Sequence, residues 1–362
     1  MQGKVAGLDI TQSSGQPGAT ASLTMRGNRS LNADNQPLVL VDGIDYGSFV
    51  DINPTDIESI EVLKDISSTA IYGTKGANGV ILITTKSGAK GQKTRIDVNA
   101  YISIKNKAKY PRMMNGLEYA QLKREAYRTT NAANPDEYMD DALIFNAEEL
   151  EYLEKGYWVD WQDLLLGTGI TQNYKVAVSS GNDKTQFYLS GNYMGQTGVV
   201  IESKNERYQA KANVTSQVTP WLHVTADVNA SHNIRKGGSF ATGKDNPIWI
   251  AMNYSPTMQM MDGNNYAKDP INSIASNPVG ILRLQGGETM TDVFTGHVDL
   301  RFNLAKGLTF TTTNGVDYYD AKSYSFSSKR VNPSNSMGNS DTYRMMLQSS
   351  NNFTYMGKWN KH

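Results

Sequence analysis

Four histidines, 35 carboxylates and a set of closely spaced glycines are the groups in this 362-residue sequence with the means to do chemistry. A metal site or a general base would have to draw on His223, His232, His297 or His362. No two of them stand in the His-x-x-x-His spacing that puts both imidazoles on one face of a helix. Cysteine is absent, which excludes a thiolate nucleophile, a sulfur-ligated metal and any disulfide. Asp262-Gly263-Asn264-Asn265 starts like a calcium loop. Position six is Ala267 and position twelve Ser273, so the loop lacks both its turn glycine and its closing glutamate and reads as a turn. Gly73, Gly76 and Gly79 match neither G-x-G-x-x-G nor a P-loop, and read as glycines that permit tight turns. The carboxylates are not paired by any pattern that would seat two in one cleft. The expectation is a protein that is not an enzyme and uses no cofactor.

With 35 Lys+Arg against 35 Asp+Glu the net charge is zero, and no local basic cluster stands out. A nucleic-acid partner is therefore excluded. No apolar run approaches the roughly 18 residues a membrane-spanning helix needs. Hydrophobic residues make up only 39%, alongside 32 Gly and 20 Tyr, a balance that favours β-structure with many turns.

Two parts are expected, divided near the Gly- and Lys-rich linker Ser87-Gly88-Ala89-Lys90-Gly91-Gln92-Lys93. In residues 1–90, Pro37-Leu38-Val39-Leu40-Val41 is a short strand ended by Asp42-Gly43, a dipeptide suited to positive φ. Asn53-Pro54 starts a brief helix, and the alternation from Glu58 to Val62 predicts a strand. Residues 66–72 predict a second short helix ended by Gly73, and residues 79–86 a β-branched strand. The result is a small α+β globule.

Residues 91–362 read as eight alternating strands. In the first, Ile96, Val98, Ala100, Ile102 and Ile104 alternate with Arg95, Asp97, Asn99, Tyr101 and Ser103. In the fifth, Leu222, Val224, Ala226, Val228 and Ala230 oppose His223, Thr225, Asp227, Asn229 and Ser231. In the sixth, Phe294, Gly296, Val298, Leu300 and Phe302 oppose His297, Asp299 and Arg301. Alternation alone fits a sandwich or a barrel, so the connections must decide. Long ones are expected at about 106–171, 195–205, 234–291 and 320–341, separated by tight turns at Gly181-Asn182-Asp183-Lys184, Gln217-Val218-Thr219-Pro220 and Ala305-Lys306-Gly307. Up-and-down strands then put every long loop at one end, the asymmetry of an outer-membrane barrel. Aromatic residues near strand ends, Tyr174, Tyr193, Tyr208, Trp221, Phe302, Tyr318, Tyr343 and Tyr355, suit interfacial girdles. Eight strands close only a narrow barrel with no room for a ninety-residue globule.

Leu40-Val41-Asp42-Gly43, the run from Asp56 to Asp65, and the run from Ala70 to Lys86 with Gly73, Gly76 and Gly79 closely resemble the plug of TonB-dependent outer-membrane transporters, and more narrowly the SusC/RagA family of Bacteroidetes. Met25-Arg26-Gly27, Asp160-Trp161-Gln162-Asp163 and Tyr188-Leu189-Ser190-Gly191 fit the same family. The resemblance implies a plug inside an antiparallel transmembrane barrel of about 22 strands. It also implies that this chain is a partial one: there is no signal peptide at its start, no TonB box before the plug, and only about eight strands follow. What is implied for the whole is import of oligosaccharides or peptides across the outer membrane, driven by the TonB complex, beneath a SusD-like surface lipoprotein. A secreted β-rich glycan-binding or adhesion protein is the alternative.

The plug motif then comprises Arg26, Asp42, Gly43, Glu58, Glu61, Lys64, Gly73, Gly76 and Gly79. Polar strand faces carrying Arg95, Asp97, Lys211, His223, Asp227, Asp299 and Arg301 would line the lumen, where they either pair with Arg26, Glu58, Glu61 and Lys64 or are simply solvated. Asp45, Tyr46 and Phe49 are placed to face a ligand, by stacking on a sugar or else as ordinary packing. The helical stretch from Asn115 to Tyr127 and the polar segment from Asn131 to Trp161 would cover the rim or meet a lid.

Overall fold

A computed structural model of the protein describes residues 8–11, 14–19, 22–25, 27, 36–45, 52–107, 110–130, 134–237, 246–268 and 276–357. Arg26, Tyr46 and Phe49 lie outside the described residues. The first part holds a two-stranded antiparallel ribbon, β1 (Leu8–Thr11) with β2 (Ser22–Met25). Beside it lies a four-stranded sheet of β3 (Leu38–Val41), β4 (Ile44–Asp45), β5 (Ile57–Leu63) and β6 (Val80–Thr85) in the order β4-β3-β6-β5. β3 runs parallel to β6, and β5 antiparallel to it. Asp42 and Gly43 both take positive φ, +50° and +86°, which closes the β3–β4 hairpin tightly. Buried Met25 and Ile81 meet Val39, Ile60, Val62 and Ile83 to form the small core.

Two local expectations change here. The helix after Asn53 is a single 3-10 turn, Pro54–Asp56, capped by the Asn53 side chain on Thr55 N at 2.9 Å, and it passes straight into β5. The second helix, α1 (Ile66–Thr69), does not stop at Gly73: it tightens into a 3-10 run, Ala70–Asn78, kinked at Gly73 and ended by Gly79 at φ +93°. Gly76 is what allows the tight coil, since a Cβ there would stand 2.8 Å from Thr69 O.

The second part is one antiparallel sheet of eight strands. These are β7 (Arg95–Lys105), β8 (Gly169–Gly181), β9 (Thr185–Thr197), β10 (Lys204–Thr219) and β11 (Leu222–Lys236), then, after a short hairpin of β12 (Met261–Asp262) and β13 (Asn265–Tyr266), β14 (Gln285–Ala305), β15 (Leu308–Ser327) and β16 (Ser336–Tyr355). The spatial order is β16-β15-β14-β11-β10-β9-β8-β7, and the sheet is not closed, with β7 and β16 as its edges.

The registers carry apolar residues across the sheet in continuous lines. Val98, Val176, Gly191, Ala210, Ala230, Phe294, Tyr318 and Met345 form one such line on the outer face. Two aromatic rows bound this band. Above, the rings of Tyr174, Tyr193 and Tyr208 follow one another at 6.4 and 5.1 Å. Below, Trp221, Phe302, Phe310 and Phe353 do so at 6.1, 6.0 and 4.7 Å. On β11 the rows are marked by His232, opposite Tyr208, and Leu222, opposite Phe302. Ten residues of strand rise about 33 Å, and a tilt near 40° reduces this to about 25 Å, the height of a lipid-facing barrel band.

The tight turns fall where expected, at residues 182–184, 220–221 and 306–307. The opposite connections are 106–168, 198–203, 237–284 and 328–335. Two of the four are thus short, because β9, β10, β15 and β16 continue as strands past the point where their outer face turns polar. Backbone pairing persists above the membrane band, where an alternating apolar pattern has nothing to face.

The two long connections fold into a helical cap. The first carries α2 (Gly116–Thr130), α3 (Asp141–Ile144), α4 (Ala147–Lys155) and α5 (Trp161–Leu165), so the polar segment after Asn131 holds three helices; the second carries α6 (Pro247–Asn253) and α7 (Pro278–Leu284). Trp161, Leu165, Ile250, Tyr254, Val279 and Val331 share one buried core spanning three connections. Trp161 donates its indole N–H to Ser255 O at 2.8 Å and meets Tyr254 edge-on.

Candidate plug–wall interface

The inner face of the large sheet is polar, and the small globule meets it at three aspartates, two through their carboxylates and one through its backbone carbonyl. Asp56 is fixed by its backbone, its N–H donating to Asn53 O and its carbonyl accepting from Lys86 N, both at 2.8 Å. This aims its side chain at β8 and β9. There Oδ1 accepts from Lys175 Nζ at 2.7 Å, Tyr188 OH at 2.6 Å and Ser190 Oγ at 2.9 Å. Asp56 and Lys175 are both 5% exposed, so the pair is held without solvent and with its hydrogen bonds completed by the hydroxyls. Lys175 also lies over the Tyr188 ring at 5.9 Å.

Asp42 supplies the second contact. It accepts from Thr85 N at 2.9 Å and Thr85 Oγ1 at 2.6 Å, which ties the β3–β4 turn to the end of β6. On its other side Lys211 Nζ stands 3.9 Å away, itself 2.5 Å from Asp227 Oδ2. Asn213 donates to the same Asp227 oxygen at 3.1 Å. At the third contact Gln348 donates to the carbonyl of Asp45 at 2.6 Å, while Lys75 holds the Asp45 carboxylate at 2.8 Å. Ile44 lies against Gly315, where a side chain would fill the space between turn and wall.

Lumen-facing positions named from the sequence lie on this inner face, but most make their contacts within the wall. Arg95 and Asp97 pair with each other at 2.7 Å on an exposed edge strand. Asp227 is taken by Lys211, and Asp299 stands 3.6 Å from His297. His223 is half-buried opposite Arg301, which is exposed near the tight-turn end. Glu58 and Glu61 are exposed on β5, and among the described residues no ion pair joins them to the wall. Lys64 is half-buried after β5. Gly79 packs closely, a Cβ there standing 2.2 Å from Met25 Sδ, whereas Gly73 faces open space.

Among the described residues, the contacts that cross the boundary instead join Asp42, Asp45 and Asp56 to Lys211, Gln348 and the Lys175–Tyr188–Ser190 group, and Gly18 N donates to Gln196 Oε1 at 3.1 Å. A signal for two of these is present in the sequence. On the inner face of β8, Thr171, Asn173, Ala177 and Ser179 surround one cation, Lys175; on β10, Gln209 and Asn213 flank Lys211. A lone cation among neutral groups on a face that will be buried requires a carboxylate from elsewhere; Lys175 finds it in Asp56, whereas Lys211 already holds Asp227 on the next strand and adds Asp42 at 3.9 Å.

Above the sheet, the cap carries ion pairs of its own. Lys123 binds both oxygens of Glu149 at 2.8 and 2.7 Å, with side chains 10% and 2% exposed. Arg124 engages Asp141 through two hydrogen bonds, which hold that carboxyl below its ordinary value.

Residues 1–80 match the family described as TonB-dependent Receptor Plug Domain. TonB-dependent receptor P26 of Formosa agariphila is 32% identical over 338 residues, covering 91% of this chain and 32% of that protein. TonB-dependent receptor SusC of Bacteroides thetaiotaomicron is 28% identical, covering 88% of this chain and 33% of that protein. The chain thus spans about a third of the length of these curated relatives. Among solved structures, the RagAB peptide importer in its closed-closed state superposes with a TM-score of 0.81 at 24% identity, over 99% of this chain and 43% of that one. In its open-open state the TM-score is 0.71 at 27% identity, over 90% and 39%.

Proposed function

The chain is SusC/RagA-like, a plug with outer-membrane barrel strands of the TonB-dependent receptor kind, and from that premise we propose that it works in TonB-driven import of oligosaccharides or peptides across the outer membrane. In this reading residues 1–90 are the plug and 91–362 the first part of the barrel with its long extracellular loops. The TonB complex supplies force from the periplasm, and a SusD-like lipoprotein closes over the cap.

The observation that carries the proposal is the Asp56 cluster. A globule that merely folded beside a sheet would need no sealed charge contact with it. Here one plug carboxylate oxygen takes three wall donors out of water. Such a contact is rigid while intact and cannot be loosened gradually, because separating the partners strands two charges. That suits a stopper which is tight at rest and yields to a pull. The contacts of Asp42 and Asp45 are more open and would part more easily.

Asp45, Tyr46 and Phe49 are proposed to face the ligand, with Asp45 exchanging Lys75 for it. A Tyr46→Ala receptor with unchanged affinity would dispose of the sugar-stacking version. The function itself is tested by uptake in cells carrying the complete receptor gene, with and without TonB. Uptake is expected to stop without TonB, and unchanged uptake defeats the proposal.

A further inference from the structure

Buried polar atoms without a protein partner gather on one part of the inner wall. Thr171 Oγ1 and Asn173 Nδ2 on β8, both amide atoms of Asn192 on β9, and Asn205 Oδ1 and Asn213 Oδ1 on β10 make no hydrogen bond. The five residues are between 1% and 8% exposed. A buried polar group that goes unbonded is destabilising, and native interiors contain few. Five on three neighbouring strands call for a use.

Their registers place them in a strip. Thr171 and Asn205 both face Gln196, Asn173 faces Met194, Asn192 faces Lys175, and Asn213 faces Tyr188. The strip therefore follows β9 from residue 196 to 188, about 26 Å of strand at the usual rise. It passes directly beside the Asp56–Lys175 contact, since Asn192 is the cross-strand neighbour of Lys175. At the other end Gly18 packs on Asn205 and donates its N–H to Gln196 Oε1 at 3.1 Å, so withdrawal of the plug, carrying both Asp56 and Gly18, would uncover the strip.

We infer that this strip is a track for cargo, closed at rest and opened when the plug is pulled away, and that it takes neutral, hydroxyl-rich chains. The inference rests on the import reading above. The chemistry selects the ligand. Each amide both donates and accepts, as a sugar hydroxyl does, so successive hydroxyls exchange from one amide to the next without any site holding them firmly. A peptide would also need apolar recesses for its side chains, and among the inner positions of this stretch only Met194 and the Tyr188 ring, which Lys175 already covers, offer large apolar surface. Ionic cargo would be held by Lys175 once Asp56 had left.

These 362 residues hold no cysteine, so once any cysteine in the remainder of the receptor is replaced by serine a single introduced thiol gives a direct test. In the full-length receptor in its own outer membrane, Asn192→Cys is treated from outside with a hydrophilic, membrane-impermeant maleimide. Labelling is expected to be roughly tenfold faster in cells with TonB than without it, as the labelling rate follows the open fraction. Val176→Cys, on the lipid face, should label in neither. A mixture of neutral plant oligosaccharides should slow the TonB-dependent labelling, and a casein digest should not. Equal labelling with and without TonB overturns the track, and protection by peptides, or by neither mixture, overturns the ligand class. Wild-type uptake of the same oligosaccharides is followed in parallel. If that uptake does not depend on TonB, the import reading falls; if it does and Asn192→Cys stays silent, only the track falls.

Discussion

Lys175 Nζ stands 2.7 Å from Asp56 Oδ1 across the boundary between plug and wall, with both side chains 5% exposed. Removing one charge of such a pair costs about 3–5 kcal/mol, most of it from the partner left buried and alone. Asp56→Asn should therefore loosen the plug, while Asp56→Asn with Lys175→Gln should recover most of the loss. Sensitivity of cells to a large antibiotic normally excluded by the outer membrane measures the seal. If the double variant leaks more than Asp56→Asn, the pair is not what holds the plug.

Gly79 and Gly73 both have positive φ, +93° and +59°, yet their surroundings differ. Either glycine replaced by alanine pays backbone strain of about 1–3 kcal/mol. At Gly79 the new Cβ would also strike Met25, which is 1% exposed in the plug core. Overpacking of that kind adds about 1–3 kcal/mol. Hydrogen exchange at Ile81 should accelerate more in Gly79→Ala than in Gly73→Ala, and the reverse order would contradict the packing seen here.

How far the sequence foretold this architecture depends on what each pattern had to face. The outer face was legible because lipid demands apolar residues at every second position, as in Ile96, Val98 and Val176, without interruption. Strand ends were not, because above the membrane both faces meet water: Asn339, Ser340 and Asp341 continue β16 with no periodicity to reveal it. The wall-contacting carboxylates were misplaced for another reason. Glu58 and Glu61 lie in the most recognisable motif yet point to exposed positions, while Asp56 reads as an ordinary residue of a capped turn. Only the turn's orientation, set by the Lys86 and Asn53 backbone bonds, sends it into the wall.

Val228 lies on the outer face of β11, in the line of Ala212 and Gly296 and near the middle of the band between the two aromatic rows. An arginine at that depth costs about 2–4 kcal/mol. Val228→Arg should reduce the fraction of receptor that resists heat and detergent as a folded barrel. Thr225→Arg, on the lumen side of the same strand, should be milder. Equal effects would mean that Val228 does not face hydrocarbon.

In the cap, Glu149 does two jobs at once. Its backbone N–H and side chain exchange hydrogen bonds with Asn146 at the start of α4, and its carboxylate neutralises Lys123 beneath the Phe145 ring. Glu149→Ala keeps the Asn146 cap on the backbone N–H of residue 149 but loses the reciprocal bond from Asn146 N, and it strands a buried ammonium at a cost of about 3–5 kcal/mol. Lys123→Met combined with Glu149→Gln keeps the fill and removes both charges. Exchange of the α4 amides should be fast in the first variant and close to normal in the second.

Asp141 gives the cap a pH response whose sign can be worked out. Two hydrogen bonds from Arg124 hold its carboxyl below the ordinary 3.8 in the folded cap. A group whose folded value is depressed contributes its stabilisation in full above the unfolded value and loses it as pH falls through the folded one. The α2–α3 contact should thus be unchanged from neutrality down to mildly acid conditions and weaken only below 3.8. Asp141 remains 40% exposed, so the effect is small and shrinks with added salt. Hydrogen exchange at Ile144, followed on descending pH in low and high salt and corrected for the intrinsic rate, reads it. Asp141→Asn should abolish the dependence, and a transition that persists in that variant would assign it to another carboxylate.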